Sequence, residues 1–156
     1  MDRPTSSNVT TRLNRLVSTA QDGVDGLGRA INDAQDPQLK ATLRELRQNR
    51  EYMAQELKAV LTRLGGDPTQ SGTFAGAAHR AFIEVKEMVT GAGDEALIQE
   101  CIRGDENAVN EFQDALNELS PNAPEAARSV VQTCLPRIRT ALERYQEPSH
   151  SGAGTS

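Results

Sequence analysis

The sequence predicts an all-α domain of four long helices, and three observations carry that prediction. Aromatic residues make up only 3% of the 156 residues and Trp is absent, which removes the rings that pleated strands favour. Ala, Leu, Glu, Gln and Arg dominate instead, and these are strong helix formers. Apolar residues then recur in steps of four and three over long stretches, the period of a helix with one buried stripe. The length is that of a single domain.

The first helix is expected over 9–34, with Val9, Leu13, Leu16, Ala20, Val24, Leu27, Ile31 and Ala34 as its stripe and Ser7 or Asn8 as N-cap. Residues 1–8 then read as a disordered polar N-terminus. Gly23, Gly26 and Gly28 weaken this helix by roughly 1 kcal/mol each relative to Ala. Close approach of a neighbouring helix is the simpler account of them; a hinge or a small-molecule cleft is the other. Asp36-Pro37 reads as N-cap and first position of the second helix, 37–64. Its stripe (Leu39, Leu43, Leu46, Arg50, Met53, Leu57, Val60, Leu64) has one charged intruder, Arg50. Gly65-Gly66 ends it.

A shorter crossover helix is expected over 73–89, after the turn-rich GGDPTQSG. The third bundle helix, 94–119, carries Ile98, Cys101, Asp105, Ala108, Phe112, Ala115 and Leu119, again with one charged member. The fourth, 124–146, carries Ala127, Val131, Cys134, Ile138, Ala141 and Tyr145, with Pro136 in its interior as a kink. The bundle domain thus spans 9–146, and 147–156 is a small, polar, disordered tail. Tight connections make the first and second helices antiparallel neighbours, and likewise the last two. The long link between the hairpins is a crossover, so the expected fold is a ferritin-like up-down four-helix bundle.

Two runs carry a family resemblance. One is Leu64-Gly-Gly-Asp-Pro-Thr-Gln-Ser-Gly-Thr-Phe-Ala-Gly-Ala-Ala-His79-Arg80 with Phe82 and Lys86, and the other is Glu100-Cys-Ile-Arg-Gly-Asp-Glu106. Over about 9–145 the chain resembles an uncharacterised bacterial family of ferritin-like four-helix bundles, a domain of unknown function. It departs from that pattern at Ala81-Phe82, where a small residue then Trp is expected, and at Ile102, where an acid is expected. The resemblance implies the bundle and no established activity.

Net charge is −5 with no block of like charge, so the chain is not expected to bind nucleic acid. No 18-residue apolar run is present to span a membrane. Cys101 and Cys134 sit in apolar stripes without a CxxC, which reads as buried thiols rather than a disulfide. A cytoplasmic location is the expectation.

Di-metal ferritin-like bundles take a Glu from each of two helices and a Glu-x-x-His from each of the others. The two His of this chain, His79 and His150, lie outside the four bundle helices, and the first helix has no Glu. No metal, cofactor or catalytic residue is therefore expected. A carboxylate-rich iron or manganese protein is the alternative to a non-catalytic bundle that associates with itself, as a homodimer, or with a protein partner. A role in stress is a further expectation, taken from the fold alone. With residues across the first hairpin summing to about 71, Arg50 faces Ala20–Asp22. Helix midpoints add Asp105 or Glu106 and Cys134 to the same layer. The expectation is a buried polar cluster of Arg50 with Asp105, helped by Asp22 or Glu106; the alternative places both side chains at the wet edge. His79, Arg80 and Lys86 form a candidate surface or docking patch, with His79 read chiefly as docking the crossover helix.

Overall fold

A computed structural model describes residues 3–71, 93–119 and 121–145. Four long helices account for most of them: α1 (Arg3–Asp33), α2 (Pro37–Arg63), α3 (Gly93–Glu118) and α4 (Glu125–Tyr145), with a 3-10 turn at Pro68–Ser71. Among the described residues there is no strand, and no helix is long and apolar enough to cross a membrane. The expected crossover helix over 73–89 lies outside the described residues.

The boundaries follow from the terminal chemistry. Asp36 sits in extended backbone and accepts from the Gln38 amide at 3.1 Å, capping α2 at the proline that begins it. At the other end Gly65 has φ +88°; its amide donates to Thr62 O and that of Gly66 to Leu61 O. This double closure requires the left-handed residue that glycine supplies. α1 corrects the expectation at its start: the helix begins at Arg3, so Ser7 and Asn8 lie inside it rather than capping it. Pro4 is no obstacle there, because first-turn amides have no intrahelical acceptor.

Each helix packs on two others. α1 lies against α2 and α3, and α4 against α3 and α2, which leaves α2 and α3 on one diagonal. Asp94, in the first turn of α3, fixes the sense of that diagonal. Its Oδ1 accepts the Gln35 amide and its Oδ2 the Asp36 amide, each at 2.9 Å. The start of α3 therefore sits at the start of α2, and the two run parallel. Neighbours are antiparallel throughout, which is the crossover connectivity.

Among the described residues the interior forms two apolar cores. One gathers Leu13, Leu16, Val17, Leu57, Leu61, Phe112, Val131 and Ile138, and the other Leu27, Leu39, Leu43, Leu46, Cys101 and Tyr145. Between them the stripes of α2 and α3 each present their charged member.

Candidate functional site

Arg50 and Asp105 meet at that break. Arg50 Nη2 donates to Asp105 Oδ1 at 2.8 Å, and the residues are only 3% and 4% exposed. The expected central pair is present and internal, not at the wet edge. Gly23 of α1 makes room for it: a Cβ there would lie 2.5 Å from Arg50 Nη1 and 3.0 Å from Arg50 Cγ. Its lack of a side chain serves the close approach expected of the α1 glycines, made here to a guanidinium rather than to a helix backbone.

The other expected members separate. Asp22, beside Gly23, lines a cavity of about 300 Å³ next to the pair. Glu106 is exposed, which corrects its place in the cluster: one residue beyond Asp105 is about 100° around the helix, so it points away from the interior. Cys134 is buried in the first apolar core, within reach of the Arg50 charge; Cys101, Glu100 and Tyr145 line the cavity. Cys101 and Tyr145 stand out as stripe residues, and Glu100 only as the first residue of the run Glu100–Glu106. His79, Arg80 and Lys86 lie outside the described residues.

Desolvation governs the electrostatics. Burial, then the charge of Asp25, raises Asp22 to a pKa of about 6 against a smaller opposing effect of Arg29. Burial, then Asp105 and Glu100, pushes the Cys101 thiol up to about 12. Cys134 is likewise raised to about 12 by burial and then Glu56. Both thiols are free, buried and protonated at neutral pH. The Tyr145 hydroxyl is held well above its ordinary value by burial and by nearby Asp105.

The metal pair associated with ferritin-like bundles does not fit these residues. Arg50 places a fixed positive charge where the cations would sit, and the nearest carboxylate is already its partner. Among the described residues no group of three or more His, Cys, Asp and Glu is placed to hold a metal ion.

Comparison with known proteins agrees with the shape. A family model described as Domain of unknown function (DUF2383) matches residues 8–118. A crystal structure of a two-domain protein from Anabaena variabilis, containing dj-1/thij/pfpi-like and ferritin-like domains, is similar with a TM-score of 0.73 at 12% identity. The match covers 97% of this chain and 38% of that one. At that identity it shows the fold, a ferritin-like helical bundle. No curated protein matches the chain.

Proposed function

The chain belongs to the DUF2383 family, a domain of unknown function, and on that premise we propose that it is a non-catalytic cytoplasmic bundle acting by association with its own copies or a protein partner. Its central layer is organised by an ion pair in place of a metal pair. The observation that carries this reading is Arg50, a buried guanidinium bonded to Asp105 between the two cores. A positive charge held there opposes any cation-centred redox chemistry. The two protonated thiols favour the same reading, since neither supplies a thiolate nucleophile. Buried free thiols also suit a reducing compartment. Tyr52, 58% exposed with Arg137 5.5 Å from its ring centroid, is an amphipathic contact suited to a partner surface.

The test is metal analysis of protein purified from its own host without chelator. Iron and manganese well below one per chain are expected; a stoichiometric pair of either overturns the reading. Light scattering after size exclusion reads the association, and a strict monomer at high concentration removes the self-association part.

A further inference from the structure

The cavity beside the Arg50–Asp105 pair has one unfilled donor and one unfilled acceptor on its wall. Arg50 spends Nη2 on Asp105, but its Nε–H, in a residue only 3% exposed, has no acceptor. Asp22 Oδ2 is buried and has no donor. Both residues line the cavity of about 300 Å³. The other polar groups there are served: the Tyr145 hydroxyl bonds to Asp105, and Glu100 has contacts of its own. Buried polar groups are nearly always paired, because an unpaired one loses its water and gains nothing in return. An unused donor and an unused acceptor on one cavity wall therefore point to an occupant that matches both.

The backbone brings the two groups together. A Cβ on Gly23 would lie 3.0 Å from Arg50 Cγ and 3.2 Å from Arg50 Cζ, the atoms on either side of the Cδ–Nε bond. Arg50 Nε thus passes close over α1 at Gly23, and Asp22 is the preceding residue. One small molecule can reach both.

Charge and shape narrow its chemistry. An organic cation or a metal ion would confront the guanidinium and its unused N–H. An anion would confront Asp22 and Asp105. A neutral group that accepts at one atom and donates at the next confronts neither. Beyond this polar end the wall includes Leu27, Gly26 and Gly104. Water there would lack the two to four polar partners that hold an ordered water, so that end suits an apolar body. A volume of about 300 Å³ is at the small end of ligand pockets.

We propose that this cavity binds a small neutral carboxamide with an apolar body, its carbonyl oxygen accepting from Arg50 Nε and its N–H donating to Asp22 Oδ2. The apolar body lies along Leu27 and the glycine wall. The assignment goes beyond the metal-free bundle proposed above and does not rest on it.

The experiment is calorimetric titration of the full chain at pH 8, above the Asp22 pKa of about 6. The probe is hexanamide, with hexylamine, hexanoate and 1-hexanol as cationic, anionic and alcohol controls of the same chain length. N,N-dimethylhexanamide keeps the carbonyl and lacks both N–H donors. Hexanamide is expected to bind at one per chain, about tenfold or more tighter than any of the other four. Asp22→Ala removes the acceptor, so hexanamide and its dimethyl form are expected to bind that variant alike. Burial raises the Asp22 pKa, so its ionised form is disfavoured in the native state, and Asp22→Ala keeps or raises the thermal midpoint at pH 8. Lost preference is then not lost folding. Hexanamide no tighter than 1-hexanol, a charged control that binds tightest, or a preference over the dimethyl form that persists in Asp22→Ala overturns the assignment, and each leaves the metal-free reading standing.

Discussion

Replacing Gly23 with alanine probes how tightly the centre of the bundle is specified. By helix propensity alone the exchange stabilises an interior position by about 1 kcal/mol. The new Cβ, however, would stand 2.5 Å from Arg50 Nη1, 3.0 Å from Cγ and 3.2 Å from Cζ. All three atoms belong to one buried side chain held by Asp105 at 2.8 Å, so relief requires the guanidinium to leave its partner. Breaking a buried pair from one side costs about 3–5 kcal/mol. The net expectation is a loss of about 2–4 kcal/mol, or a thermal midpoint lower by roughly 5–15 °C for a chain of this length. The assay is urea denaturation followed by helical circular dichroism, run in the natural chain and in an Arg50→Met/Asp105→Leu background. In that background the same exchange should gain about 1 kcal/mol. A Gly23→Ala chain as stable as the natural one, or an equal loss in both backgrounds, refutes the reasoning.

Further outcomes are expected from the same geometry. Arg50→Met alone should lose about 3–5 kcal/mol in denaturant unfolding, and adding Asp105→Leu should recover most of it, because the stranded carboxylate is then gone. The pKa of Asp22 rises from 3.8 to about 6 on folding, so the native state holds the extra proton and stability falls as pH rises through that window. Asp22→Asn should therefore match the natural chain near pH 4 in thermal midpoint and exceed it above pH 6. Asp94→Ala removes the acceptor for two amides at the α1–α2 turn and should cost about 1–2 kcal/mol. Both thiols, raised to about 12 and buried, should react with a disulfide reagent only on unfolding, so native reaction rates should follow urea concentration.

What the sequence made legible tracks how each residue is referenced to a turn. Arg50 could be set level with Asp22 because the α1–α2 connection is short and its position is marked by Asp36-Pro37. Asp105 stood out as the charged member of an apolar stripe, and it proved to be the partner. For α4 a helix midpoint served as reference and gave Cys134, which lies within reach of the Arg50 charge; Tyr145, further along the same stripe, lines the cavity. The cavity itself was only hinted at by the α1 glycines, because empty space depends on side-chain lengths from four helices at once. Glu106 failed for a simpler reason: it lies about 100° around the helix from Asp105, on the exposed side. The early start of α1 was missed because polar residues in a first helical turn look like those of a loop.

Apolar stripes alone do not say how far one helix may slide along another. A shift of one turn, about 5.4 Å, sets a 4–3 pattern almost back on itself. The two amides held by Asp94 would both be lost by such a shift, and so would the bond from Arg50 to Asp105. Asp94 thus works as an index pin. The hydrophobic surfaces set that the two hairpins come together, and one carboxylate at the head of α3, with one guanidinium halfway down α2, sets at which notch they stop.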